Sequence, residues 1–160
     1  MTGQIPIGVR FEIEGLYARY ARLIDEGPLT EWPQLFTQEA IYKIVTGENV
    51  VQSWPLALVL CEGRAAIEDR VKAISELMLT IPRRMRHLIS GLSVAALAPN
   101  KWTASASFAV FESLPGKPTQ LFATGLYRDV LDGSESELLF EEKLVICDGE
   151  LIRNSLVLPL

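Results

Sequence analysis

"KWTASASFAVFES", residues 101–113, changes character at nearly every step: Trp102, Ala104, Ala106, Phe108 and Val110 fall on one face, Thr103, Ser105 and Ser107 on the other. A period of two belongs to a β-strand with one face on a core, because successive side chains point to opposite sides of a sheet. The same reading extends in both directions. "HLISGLSVAALA" runs up to a Pro99-Asn100 turn, "PGKP" leads into "TQLFATGLYRDVL", "DGS" leads into "ELLFEEKLVICD", and Asp148-Gly149 opens a last short segment. Strands joined this closely run antiparallel. At this length they twist and curl, and Gly91 and Gly125 stand where a bend or a close backbone approach is tolerated.

Upstream of this meander the period is helical. Val9, Ile13, Leu16, Tyr17, Tyr20, Leu23 and Ile24 form one stripe, with Arg10, Glu14, Arg19 and Arg22 on the wet side, and Gly27-Pro28 stops the helix. Thr30 is placed to cap a short second helix through "EWPQLF", with Pro33 in its first turn. "AIYKIV" is strand-like. In "LCEGRAAIEDRVKAI" (60–74) a helix from about Arg64 to Met78 is expected on the stripe Ile67, Val71, Ile74 and Met78, with Glu68 and Lys72 as an i,i+4 pair, Glu62 near the positive helix end, and Gly63 giving freedom at the entry. Helices followed by long antiparallel strands make an α+β fold, a curved sheet with N-terminal helices on one face, within a single domain spanning 1–160. The enclosed space is either a ligand pocket or packed shut by side chains such as Trp32, Trp54, Phe108 and Phe122.

Composition narrows the class. Hydrophobic residues make up 49% of the chain, more than a fully wetted monomer needs, so part of the surface is expected to meet another chain. A net charge of −5 argues against a phosphate-tracking surface and hence against nucleic acid. The first residues lack a basic segment followed by an apolar run, and no stretch approaches the roughly 20 apolar residues that span a bilayer, so a cytoplasmic location is expected. Cys61 and Cys147 show no paired spacing and read as buried thiols.

One count limits the chemistry: His87 is the sole histidine. A Rieske cluster needs two His and two Cys, and a non-haem iron facial triad needs two His and a carboxylate, so neither is built from one such chain. Zinc sites are disfavoured for the same reason, and no dinucleotide, phosphate-loop or serine-hydrolase motif is present. Metal-free acid/base chemistry remains, with Asp25, Tyr17, His87 and Glu112 as candidates if burial moves a pKa toward neutrality. Against it stand bland readings: a solvated carboxylate at a helix end for Asp25, core packing for Tyr17, a structural imidazole for His87. The run "RRMRH" (83–87) is either a solvated basic corner or an anion-reading interface, since guanidinium forks suit carboxylates.

The helix "LCEGRAAIEDRVKAI", then "IPRRMRHLISGL", the meander and the ending "EEKLVICDGELIRNSLVLPL" together resemble the small (beta) subunit of bacterial aromatic-ring-hydroxylating dioxygenases, most closely those acting on aromatic acids of the terephthalate or salicylate type. The likeness covers nearly the whole chain and is most specific at Glu68-Asp69-Arg70-Val71, Arg86-His87-Leu88 and the ending from Cys147-Asp148 to Leu158-Pro159-Leu160; Glu62-Gly63 stands where many relatives carry tandem aspartates. The resemblance implies a cone-like nuclear transport factor 2-like (SnoaL-like) fold, shared with scytalone dehydratase and ketosteroid isomerase. It implies a chain that is not catalytic by itself and holds no cofactor or metal. Its partner would be a large (alpha) subunit carrying a Rieske 2Fe-2S cluster and mononuclear non-haem iron, with this chain trimeric in an alpha3beta3 assembly. Arg64, Arg70, Arg83, Arg84, Arg86 and His87 are then its interface candidates. Because one fold hosts many functions, two alternatives stay open: a free-standing isomerase, dehydratase or cyclase using Asp25, Tyr17 or His87, and a ligand-binding module without catalysis.

Overall fold

The computed structural model describes residues 5–77, 82–149 and 158–160. Its first helix, α1 (Ile7–Asp25), buries Ile13, Leu16, Tyr17, Tyr20 and Ile24 along the expected stripe. It ends where Glu26 and Gly27 donate back to the carbonyls of Arg22 and Leu23 and Gly27 adopts φ +76°, a conformation that costs a residue without Cβ nothing. Gly27-Pro28 is a cis peptide. A 3₁₀ helix (Leu29–Leu35) follows and buries Trp32 and Leu35 completely. Thr30 lies inside it rather than ahead of it, and no side chain caps it. Here the chain tightens directly out of the proline, which leaves no position for a capping hydroxyl.

Strand β1 (Phe36–Thr46) is longer than "AIYKIV", and a five-residue helix α2 (Gly47–Val51) follows, capped by Thr46 Oγ1 accepting from Asn49 N at 3.3 Å. Residues 59–62, read from sequence only as the approach to a helix, form an edge strand β2 (Val59–Glu62) that turns Val59 and Cys61 inward. Four residues are too few to display a period, so the strand is recognisable only from its partner. Helix α3 (Arg64–Leu77) then begins over Gly63, at φ +85°, with Ile67, Val71 and Ile74 buried; Met78 lies outside the described residues. Glu68 and Lys72 are both exposed and form no ion pair.

The meander is as expected: β3 (Arg84–Ala98), β4 (Lys101–Ser113), β5 (Gln120–Asp132) and β6 (Leu139–Cys147) pair antiparallel in sequence order. What the local pattern did not show is that β1 joins the far side of β6 in parallel, giving a six-stranded mixed sheet of order β2-β1-β6-β5-β4-β3. The sheet is curved and unclosed, with the helices against it. On β4, Ala104, Ala106, Phe108 and Val110 face the core, as the alternation requires. Among the described residues no helix is long and apolar enough to cross a membrane, and Cys61 and Cys147 are buried free thiols.

Two glycines shape the sheet. Gly91, at φ +66°, lies in the irregularity between Ser90 and Ser93 where an extra residue bends β3. Gly125 marks a close approach: a Cβ there would lie 2.0 Å from the carbonyl oxygen of Ile146 and 2.8 Å from the Phe108 ring. Gly125→Ala must therefore push strands β5 and β6 apart, and it should cost about 2–3 kcal/mol. Gly91→Ala, strained in backbone but with open space around it, should cost about 1 kcal/mol. Urea denaturation midpoints compare the two, and an equal loss at both positions would contradict the close-approach reading.

Candidate functional site

Aromatic side chains fill much of the interior between the sheet and its helices. Phe108 stacks on Tyr127 at 4.6 Å, Tyr17 and Tyr20 each meet Phe140 edge-on at 5.6 Å, and Trp32 stands perpendicular to Tyr42 at 5.1 Å. Of the side chains considered for closing the interior, Trp32 and Phe108 are buried and Phe122 partly so. Trp54 is 49% exposed and takes no part, because the loop before β2 lies outside the sheet.

Within this aromatic interior lies a buried ion pair. Asp129 and Lys143 are direct cross-strand partners on β5 and β6, and Lys143 Nζ lies 2.9 Å from Asp129 Oδ2 with both side chains fully enclosed. The ammonium sits 3.6 Å from the Tyr127 ring centroid and 4.4 Å from that of Tyr20, with Phe140 and Tyr17 just beyond. Ring quadrupoles and one carboxylate thus replace the water Lys143 has lost. Burial is the largest influence on both groups, raising the Asp129 carboxyl and lowering the Lys143 ammonium, while their mutual attraction opposes it. Tyr17 Oη donates to the same Asp129 oxygen, and burial pushes the Tyr17 phenol upward, so it holds its proton and acts as a donor rather than a base. Composition and motif reading overlooked Asp129 and Lys143. Their signal was positional, since each shares the inward parity of apolar neighbours, Tyr127 and Leu131 on β5 and Val145 on β6.

A second pair involves two of the sequence candidates. Asp25, at the end of α1, accepts from the backbone N–H of His87 at 2.8 Å through Oδ2, while Oδ1 lies 2.6 Å from His87 Nδ1. The two side chains are 3% and 0% exposed, so Asp25 is not a solvated helix-end carboxylate: β3 passes beside the helix end and covers it. The contact occupies a backbone donor on an edge strand, one of the groups that would otherwise be free to pair with another chain. His87 Nε2 is buried without a hydrogen-bond partner. Beside it a crevice of about 560 Å³ runs between α1 and β3, lined by Tyr17, Ala18 and Ala21 on one side and His87, Ile89 and Leu92 on the other. Tyr17 and His87 share that crevice, but Tyr17 is committed to Asp129.

The remaining candidates separate. Glu112 is ion-paired with Arg83 at 3.2 Å, nearly buried. Arg64 donates to the carbonyl of Phe36 and ties α3 to β1, and Arg70 is half-buried with its charge felt by Tyr42 and Cys61. Strand alternation splits "RRMRH": Met85 and His87 turn inward, Arg84 and Arg86 outward, and Arg86 meets Glu26 at 3.0 Å. Among the described residues, no group of three His, Cys, Asp or Glu is arranged to hold a metal.

A family model described as a SnoaL-like domain matches residues 8–136. The chain is 25% identical over 149 residues to subunit beta 1 of the terminal oxygenase component of terephthalate 1,2-dioxygenase from Comamonas sp, covering 93% of this chain and 97% of that one. It is 27% identical over 150 residues to the anthranilate 1,2-dioxygenase small subunit of Burkholderia cepacia, covering 94% and 93%. A crystal structure ascribed to the beta subunit of an aromatic-ring-hydroxylating dioxygenase from Novosphingobium aromaticivorans superposes with a TM-score of 0.87 at 25% identity, covering 97% and 98%.

The interior pair makes a sharp expectation. Lys143→Met leaves Asp129 enclosed without its cation, so that it must bear an unpaired charge or take up a proton, and should cost about 3–5 kcal/mol, whereas Lys143→Met with Asp129→Asn should recover most of that loss. A double-mutant cycle in urea measures the coupling; strictly additive losses would show that the two groups do not depend on each other.

Proposed function

The chain belongs to the SnoaL-like domain family, and we propose that within it this protein is the non-catalytic small (beta) subunit of a Rieske-type oxygenase that hydroxylates aromatic rings. The observation that carries this reading is end-to-end similarity to two dioxygenase small subunits, each matched over more than nine-tenths of both chains. The interior supports it, since the space where a free-standing enzyme would hold substrate contains Lys143, Asp129 and eight aromatic side chains, Tyr17, Tyr20, Trp32, Phe36, Tyr42, Phe108, Tyr127 and Phe140. The ligand chemistry agrees, because one histidine cannot complete a Rieske or facial-triad set. In this reading the large subunit carries the 2Fe-2S cluster and the mononuclear iron. The chain acts as one domain over 1–160, forms a trimer in an alpha3beta3 cytoplasmic assembly, and serves the catabolism of an aromatic acid.

The surface that suits such a role is the outward row of β3, where Arg84, Arg86 and Leu88 alternate, Leu88 being 55% exposed. Two guanidinium groups followed by an exposed apolar side chain put charged and dry contact area side by side on one row, as protein contacts do. His87, inward and enclosed, acts through Asp25 by holding β3 in place.

One observation favours a second reading: the Asp25–His87 pair beside its crevice is an arrangement a free-standing isomerase or dehydratase would use. The two readings separate in one experiment. On co-expression with its large subunit, the chain should purify as an iron-containing complex, and Arg84→Glu with Arg86→Glu should weaken that complex at least tenfold. His87→Gln should cost about 1–3 kcal/mol of stability and lower the yield of complex, yet leave turnover per assembled enzyme within twofold. An isolated chain that converts an aromatic acid, and loses that activity in His87→Gln, would establish the second reading instead.

A further inference from the structure

Of the twelve large apolar side chains that stand exposed among the described residues, seven fall between Ile41 and Leu60. The loop from α2 to β2 is folded onto itself, with the Trp54 N–H donating to the Asn49 carbonyl at 2.9 Å and Asn49 Nδ2 to the Leu56 carbonyl at 3.1 Å, so these side chains gather at the β2 edge of the sheet. Together they expose on the order of 600 Å² of apolar surface, the upper limit for a monomer and close to the roughly 800 Å² that each partner brings to a stable contact. Strand register carries this edge across the face of the sheet turned away from the helices. Leu60 stands beside Lys43, and the row continues through Leu144, Arg128, Ser105 and Ser93, one residue from each strand. A leucine ends the row at β2 and two serines end it at β4 and β3. Over β3 to β6 the same face holds a groove of about 420 Å³, lined by Ser93, Ser105, Arg128, Glu142 and Leu144. Arg128 and Glu142 in the groove, and Lys43 and Glu62 flanking Leu60, form no ion pair among the described residues.

We propose that the β2 edge of one copy of this chain seats in the β3–β6 groove of the next copy. Leu58 and Leu60 supply the bulk for which the serines of the groove leave room. The charges match in both senses, Glu62 on the edge with Arg128 in the groove and Lys43 on the edge with Glu142, so the chain carries the complement of its own surface. Two unlike patches on one chain make a head-to-tail contact, which closes into a ring when the rotation permits. The pairing of edge and groove depends on this chain alone; the ring size, three, rests on the subunit reading above. The groove lies beyond the Gly91 bend from Arg84 and Arg86, so the row assigned to the large subunit stays free.

Sedimentation of the unmodified full-length chain at micromolar concentration should give a trimer; a monomer or a dimer would overturn the proposal. Leu58→Glu with Leu60→Glu removes the edge, and Ser105→Trp fills the groove. Each variant alone should self-associate at least a hundredfold more weakly, and an equal mixture of the two should form a one-to-one dimer, because one intact edge still meets one intact groove. Variants that remain trimers, or a mixture that stays monomeric, would refute the surface. Should either variant fail to fold, cross-linking decides. Leu60 and Ser105 lie four strands apart in one chain, roughly 19 Å, so a short bismaleimide on Leu60→Cys with Ser105→Cys has to join separate chains, and folded trimers that yield no such link would sink the proposal. Co-purification with the large subunit, by contrast, tests only the subunit reading.

Discussion

Lys143 places an ammonium group inside the curved sheet, and the interior is organised around the demands of that charge. Taken from water without compensation, such a group is among the costliest things a fold can bury. Its anionic neighbour among the described residues, Asp129, faces it across the β5–β6 pairing, and Tyr17 supplies Asp129 with a further donor from the opposing helix. Four aromatic rings close the shell. Satisfying one charge therefore draws α1, β5 and β6 into a single arrangement and fills the interior between them. The packing that removes solvent also keeps the phenols protonated and leaves neither ion free for proton transfer.

Asp25 and His87 do similar work at the rim. A carboxylate that accepts from both a backbone N–H and the ring of one residue fixes the end of α1 to an edge strand and occupies one of its unpaired groups. Beyond that tie the strand presents Arg84, Arg86 and Leu88 outward. The pair that most resembles a catalytic dyad thus also holds an edge strand in place, so loss of either residue is felt first as loss of shape.

The elements were legible where the signal was local. The alternation of Trp102 to Val110 and the stripe from Ile13 to Ile24 follow from the geometry of strand and helix, and each needs only its own neighbours to be seen. Thr30 shows the limit even there, since its type suits a cap but its position inside a tight 3₁₀ turn does not. Strand β2 was hidden by its length, and the β1–β6 pairing by its distance along the chain, for no local pattern states which strands meet. The site followed the same division. Tyr17, Asp25 and His87 could be named as candidates from their types and places, but the partner of each was invisible: Asp25 meets His87 across 62 positions, and Tyr17 meets Asp129 across 112.

Alone, then, the amino-acid order determined the periods, the turns and the inventory of reactive groups, above all a supply of imidazole too small for redox iron. Those properties depend on neighbours in the chain or on mere presence, so no folding is needed to read them. Only the tertiary structure decided that the interior holds an ion pair among aromatic rings, that an aspartate expected in solvent is enclosed, and that Leu160 is bonded by tyrosines more than a hundred positions away. Such outcomes turn on register and packing between distant segments, where burial sets the strength of every charge and hydrogen bond.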